Sequence, residues 1–281
     1  MRQPHFLWVN HTGILVSSVI RYKKHGHILI FEGGSTFEKY SLGHYIGKGA
    51  TSLVYLSQTD QNERIVIKRV ENKREADQES SILKSLPCHK HIITWLDFFV
   101  DNQTGYIVLA YHDGARLGYF KKGIIYHQKL AVQITINILE GLKVIHQHGI
   151  LHCDITPHNV LISNCDPQTV KIIDFGSAVR TNQSGEYIGS HQGATRWYRP
   201  PELKKENNIF TANLNNSSDL YSAACVCLYL LTGQAPFRKK QACEQITNQE
   251  LQKVLRKATS KNKKKRFHSA QELIDALLPF K

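Results

Sequence analysis

Three stretches of the chain combine residue types that handle phosphate groups. Gly47-Lys48-Gly49-Ala50-Thr51-Ser52-Leu53-Val54 sets two glycines between β-like segments, with Ser52 where a third glycine would complete a G-x-G-x-x-G run. Glycines let a hairpin lie close over phosphates, and Val54 can close the face of a purine. Downstream, Ile65-Val66-Ile67-Lys68 ends an apolar strand on a lysine. An amine there is costly unless it meets an anion, and a nucleotide phosphate is such an anion. In Glu79-Ser80-Ser81-Ile82-Leu83-Lys84 an acid at the start of a helix is placed to pair with Lys68, with Glu75 as the competing partner. The third stretch is His152-Cys153-Asp154-Ile155-Thr156-Pro157-His158-Asn159, followed after a β-like hairpin by Asp174-Phe175-Gly176. Singly, these blocks also read as a hairpin turn, a surface lysine and turn formers.

Taken together and in this order, H-x-D-x-x-x-x-N and D-F-G resemble the paired signature of the eukaryotic-like protein kinase family, from about Tyr40 to the C-terminus. The resemblance implies an α+β, two-lobed fold, with a small β-rich N-lobe over about 40–110 and a larger, mostly helical C-lobe over about 113–281. It implies transfer of the γ-phosphate of ATP, held by magnesium with manganese as the alternative, to Ser or Thr hydroxyls of protein substrates and of the chain itself. On this resemblance Asp154 accepts or orients the hydroxyl proton, Asn159 and Asp174 hold the metal, and Lys68, supported by Glu79, meets the α- and β-phosphates. Gly47, Gly49, Ser52, Val54, Val66, Leu109 and Leu161 surround the nucleotide, and the backbone of Ala110, Tyr111 and His112 meets adenine.

Further blocks resemble the same family. Gly193-Ala194-Thr195-Arg196-Trp197-Tyr198-Arg199-Pro200-Pro201-Glu202 is similar to the end of the kinase activation segment, with P-P-E for A-P-E. It gives Thr195 a contact with the catalytic aspartate and Glu202 an ion pair with a late arginine, for which Arg266 is the candidate. Asp219 resembles the acid that opens the central helix and ties down the catalytic loop. Trp197-Tyr198-Arg199 resembles Ser/Thr rather than Tyr kinases, and Arg266 to Leu273 resembles compact bacterial Ser/Thr kinases. Cys153 replaces the arginine that grips a phosphorylated activation loop, which implies activity without that modification. Thr156 replaces a lysine near the γ-phosphate, which implies slow turnover. Lys68 and Glu79 are close in sequence, which implies a short or partly unwound helix. Ser52, Thr156 and that helix motivate the alternative of a pseudokinase or nucleotide-binding scaffold, and the Thr195 to Glu202 block argues against a small-molecule kinase.

The elements that must position these residues show in the hydrophobic pattern. Tyr40 to Tyr111 reads as strand, Gly-rich turn, strand, helix around Ala76 to Leu86, then apolar strands. After Gly118 the pattern turns mostly helical. Leu130, Ile134, Ile138, Leu142 and Ile145 form one buried stripe, a central helix runs from about Ser218 to Leu231, and a last one spans about Ser269 to Leu278. Residues 1–39 form an N-terminal extension of unknown role, with β-like stretches at Gly13 to Ile20 and His27 to Phe31 and a Gly33-Gly34-Ser35 turn.

The bulk numbers suit a globular protein: 281 residues, 41% hydrophobic and 21% charged. Six scattered cysteines without C-x-x-C pairs point to a reduced, cytoplasmic compartment, with Cys225 and Cys227 as core packing. No apolar run is long enough to span a bilayer. The net charge of +13 lies largely in local runs read as solvated faces, without the aromatic interleaving of a nucleic-acid platform. Protein substrates are the expected partners, and oligomeric state is not legible.

Overall fold

In the N-terminal sheet the side-chain period of two decides which residues reach the cleft. The computed structural model describes residues 22–24, 27–29, 40–49, 51–59, 61–119, 124–191, 194–206, 209–236 and 239–281. A short antiparallel hairpin, β1 (Tyr22–Lys24) and β2 (His27–Leu29), precedes the lobe. The Gly13 to Ile20 stretch and the Gly33-Gly34-Ser35 turn lie outside the described residues. The lobe itself is an antiparallel sheet of β3 (Ser41–Lys48), β4 (Ser52–Gln58), β5 (Arg64–Val70), β6 (Trp95–Asp101) and β7 (Thr104–Ala110), in the order β3-β4-β5-β7-β6. On β5, Ile65 and Ile67 pack with Tyr40, Tyr106 and Val108 on the outer face. Val66 and Lys68 therefore point to the inner face and line the cleft.

Helix α1 (Lys73–Ser85) lies between β5 and β6. It is a regular 13-residue helix, not short or unwound, and it begins three residues before Ala76. Asn72 caps it, accepting from the N–H groups of Arg74 and Glu75. The charged first turn, Lys73-Arg74-Glu75, carries no apolar periodicity, which is why hydrophobicity places the start too late. Glu79 accordingly sits one turn beyond Glu75 and in mid-helix rather than at its start. Ala76 packs onto β7 at Gly105, where any side chain would collide with it.

Beyond the short strand β8 (Ala115–Arg116), helix α2 (Gln128–Gln147) buries Ile134, Ile138, Leu142 and Ile145 completely. β9 (Ile150–Leu151), β10 (Val160–Ser163), β11 (Asp166–Ile172) and β12 (Val179–Arg180) frame the loops that follow. Three more strands, β13 (Tyr187–His191), β14 (Leu203–Glu206) and β15 (Ile209–Leu214), form a separate antiparallel sheet in the order β13-β15-β14. The C-lobe is thus less helical than the pattern after Gly118 suggests. Polar strands such as Tyr187-Ile188-Gly189-Ser190-His191 and the Lys204-Lys205 pair in β14 hide this sheet from hydrophobicity.

Helix α3 (Asn216–Thr232) is buried nearly all round, Cys225 and Cys227 included. Asn215 and Ser218 form a capping box at its start, and Gly233 ends it in the left-handed conformation at φ 69°. Helices α4 (Lys239–Glu244), α5 (Gln249–Ala258) and α6 (Ala270–Leu277, capped by Ser269) pack around it. Among the described residues, no helix is long and apolar enough to cross a membrane.

Candidate active site

Between the inner face of the first sheet and the C-lobe lies a cleft of about 320 Å³. Gly47, Gly49, Ser52 and Val54 of the β3–β4 hairpin line its roof, with Val66, Lys68, Glu79 and Leu109 along the back. Ala110, Tyr111 and His112 form the strand-to-loop edge, and Leu161 and Asp174 rise from the C-lobe side. Every residue that the family resemblance puts around a nucleotide meets here. Seven wall residues went unnamed in the sequence: Ile46, Leu56, Ile93, Gly114, Ala115, Arg116 and Ile173. Ile46 and Ile173 directly precede Gly47 and Asp174, a signal available to a reader of motif flanks.

At the inner end, Lys68 Nζ donates to Glu79 Oε1 and Oε2 at 2.7 and 2.8 Å and to Asp174 Oδ1 at 2.7 Å. Glu75 is not the partner. Burial works against the Lys68 charge, but the Glu79 and Asp174 carboxylates outweigh it and raise its pKa. Burial leaves the Glu79 carboxyl above its usual range, against the pull of the Lys68 ammonium. The Lys68 charge holds Asp174 down at about 2. Asp174 adopts φ 65°, a left-handed backbone that a non-glycine residue keeps only when its surroundings enforce it. Its bond to Lys68 and the Gly176 N–H, which donates to Oδ1 at 3.4 Å, supply that enforcement. Phe175 is buried and packs edge-on to His152 at 4.8 Å.

Asp154, Asn159 and Thr195 form an adjoining cluster outside the cleft wall. Asn159 Nδ2 donates to Asp154 Oδ2 at 2.9 Å, and the Thr195 backbone N–H donates to Oδ1 at 2.9 Å. Thr195 thus contacts the aspartate through its backbone. The Ile173 N–H donates to the Asn159 carbonyl at 3.0 Å, which ties this loop to the one bearing Asp174. Beneath, the Asp219 carboxylate accepts the N–H groups of His152 and Cys153, each at 2.9 Å, and meets His146 Nε2 at 2.9 Å. Burial raises the Asp219 pKa, but the His146 bond, the nearby histidines and the backbone donor outweigh it and the net shift is downward. The bond from Asp219 also fixes Cys153 at φ 65°.

Cys153 is 5% exposed and belongs to a small apolar cluster with Leu151, Val179, Leu203, Ala212 and Leu214. Leu203 comes from β14 and Ala212 and Leu214 from β15, so this thiol sits under the β13-β15-β14 sheet. The segment's far end is held by Glu202, whose two oxygens accept Arg266 Nη1 and Nη2 at 2.7 Å each.

The sequence as a whole agrees with this geometry. A family model described as protein kinase domain matches residues 40–281. The chain belongs to the protein kinase family. The kinase is 30% identical over 215 residues to mitogen-activated protein kinase 2 of Arabidopsis thaliana, covering 72% of this chain and 55% of that one. It is 30% identical over 206 residues to the mouse serine/threonine-protein kinase Nek5, covering 71% and 32%, and 27% identical over 233 residues to the sporulation protein kinase mde3 of Schizosaccharomyces pombe, covering 74% and 40%. The matched stretch thus spans only about a third to just over half of the length of these relatives. The fold of this kinase is α+β in two lobes.

Proposed function

We propose that the chain transfers the γ-phosphate of ATP, with magnesium, to Ser or Thr hydroxyls of protein substrates. The observation that carries this reading is the convergence of Lys68, Glu79 and Asp174 at the inner end of the cleft, beside an aspartate held at both oxygens. Residues 40–281 are the catalytic domain on this reading, and residues 1–39 an extension.

Phosphoryl transfer asks the protein for position and charge rather than for covalent chemistry. Asp154, oriented by Asn159 and the Thr195 N–H, accepts or directs the proton of the acceptor hydroxyl. Lys68, kept extended into the cleft by Glu79, offers its ammonium to the α- and β-phosphates. A cleft lined by Val54, Val66, Leu109 and Leu161 suits the faces of a flat base, and the Ala110 to His112 backbone suits its edge.

The donor set fits a divalent cation shared with phosphate. Among the described residues, no three His, Cys, Asp or Glu side chains form a metal cage. Asp174 makes its bonds through Oδ1 and Asn159 spends Nδ2 on Asp154, so Asp174 Oδ2 and Asn159 Oδ1 remain as oxygen donors. One carboxylate and one amide, completed by phosphate oxygens and water, match the habits of magnesium. When bound, that ion neutralises charge on the phosphates. Thr156, uncharged and buried, brings no cation to the transferring group.

The β13-β15-β14 sheet and the Cys153 cluster support catalysis without activation-segment phosphorylation. Backbone pairing of Tyr187 to Leu214 and of His191 to Phe210 orders the segment that a phosphate–arginine contact would otherwise order.

Purified protein given magnesium, labelled ATP and a generic Ser/Thr acceptor should incorporate label, and Asp154→Ala should lower the rate at least about 1,000-fold. Undiminished incorporation in that variant, or nucleotide binding with no transfer by the wild type, sinks the proposal.

A further inference from the structure

Positive charge is unevenly spread along the chain. Residues 194–281 hold sixteen lysines and arginines against seven acids, which accounts for nine of the thirteen net charges. Part of that excess converges on a second hollow of about 640 Å³, walled by Pro201, Tyr221, Lys239, Lys240, Arg256 and Lys261 among others. Lys239 and Lys240 come from α4, Arg256 from α5 and Lys261 from the turn after it, so three segments bring four cations to one concavity.

Little in the protein neutralises them. Among the described residues, Arg256 is the one of the four with a carboxylate in ion-pair reach, Glu244 at 3.5 Å, and both ends of that pair are exposed. Glu202, the acid next to Pro201, is taken by Arg266. Lys239 is half-buried, and its ammonium donates to the Trp197 carbonyl at 2.6 Å. Burial lowers its pKa, a desolvation that an arriving anion would offset. Like charges gathered in a concave, partly desolvated surface attract anions.

Position and chemistry narrow the ligand. Both Pro201 in the wall and Trp197, bonded to Lys239, belong to the stretch from Ala194 to Glu202 that ends the activation segment. The hollow therefore adjoins the place where a substrate peptide lies. Its volume exceeds what one phosphate needs and suits several side chains of an extended segment. The Tyr221 ring is flanked by Lys239 at 5.8 Å and Arg266 at 4.7 Å, which leaves little aromatic face for a nucleic-acid base.

We propose that this hollow docks an acidic segment of the protein substrate, through carboxylate or phosphorylated side chains, and so selects substrates at a distance from the nucleotide cleft. This rests on the reading of the chain as a protein kinase.

The test compares peptides that share one phosphoacceptor sequence and differ in a tail of glutamates, of phosphoserines or of neutral residues. Wild-type protein should show a KM for an anionic tail about three- to tenfold below that for the neutral tail, the scale of two ion pairs made by exposed lysines. The double variant Lys240→Gln, Lys261→Gln should lose the difference while kcat and the KM for ATP stay unchanged. A gain for phosphoserine alone assigns the site to phosphorylated segments, and an equal gain for glutamate assigns it to carboxylates. Equal KM values for all tails in the wild type, or a preference that survives in the double variant, overturns the proposal. So does displacement of a labelled acidic peptide by single-stranded oligonucleotide at lower concentration than by unlabelled peptide. Anisotropy of the labelled acidic peptide on Asp154→Ala protein separates the two readings. Binding that the Lys240 and Lys261 changes abolish, in a protein whose wild type transfers no phosphate, upholds the anion site and refutes the transferase.

Discussion

The ion pair between Glu202 and Arg266 makes a strong stability prediction. Arg266 is 1% exposed, and its guanidinium is almost fully spent. Nε donates to the Ser260 carbonyl at 2.8 Å, Nη1 to Glu202 Oε1 at 2.7 Å and the Ser217 carbonyl at 3.2 Å, and Nη2 to Glu202 Oε2 at 2.7 Å. Glu202→Gln keeps the shape but turns an amide N–H₂ toward the cation and removes the countercharge. Breaking one side of a buried pair costs about 3–5 kcal/mol, about a fifth or more of the stability of an ordinary domain. Urea unfolding followed by the fluorescence of the three tryptophans should show that loss, with a fall in Tm of about 6–20 °C. Replacing both partners, Glu202→Leu with Arg266→Met, should cost less than the two single changes summed, with a coupling of about 2–3 kcal/mol. Single changes that each cost under about 1 kcal/mol, or that simply add, would refute the assignment of a desolvated pair.

Three further outcomes follow from the site. Cys153→Arg places an unpaired cation in the apolar cluster under the β13-β15-β14 sheet and should destabilise by about 3–5 kcal/mol in urea, whereas Cys153→Ala should cost nearer 1 kcal/mol; equal stability of the arginine variant and wild type would contradict the packing described. Phosphatase treatment verified by mass spectrometry should leave the transfer rate unchanged, and a collapse in rate would show that the sheet alone does not order the segment. For pH, the folded Asp174 carboxyl lies at about 2, below its unfolded range near 4, so its contribution is present above about pH 4 and disappears as pH falls toward 2. With 39% of that side chain exposed, solvent screening reduces the size of the effect. Asp174→Asn should flatten the decline in unfolding free energy between pH 5 and 3, and identical slopes for the two proteins would rule this out.

The residues legible in the sequence were those whose chemistry dictates both type and spacing. Asp154 and Asn159 were legible because H-x-D-x-x-x-x-N resembles the family signature, and the structure brings the amide to 2.9 Å from the carboxylate. Helix α2 was legible from its single buried stripe, and the choice of acid for Lys68 was not. Glu75 and Glu79 lie four residues apart on one helix face, so only the register of α1 against the sheet decides between them. The β13-β15-β14 sheet was illegible for a different reason. Its order comes from backbone pairing between strands about twenty residues apart and from a thiol beneath, neither of which leaves a period-two pattern.

That same sheet moves an entropic expense from one moment to another. A loop that awaits a phosphate is ordered anew at each activation event, whereas Tyr187 to His191 is immobilised once, when the chain folds. On the proposed function, ordering this segment then needs no phosphate from an upstream enzyme. Control through the number of copies works by their synthesis and their half-life, and half-life follows global stability. A change that shortens the pulse of activity by that route acts on the core rather than on the catalytic loop.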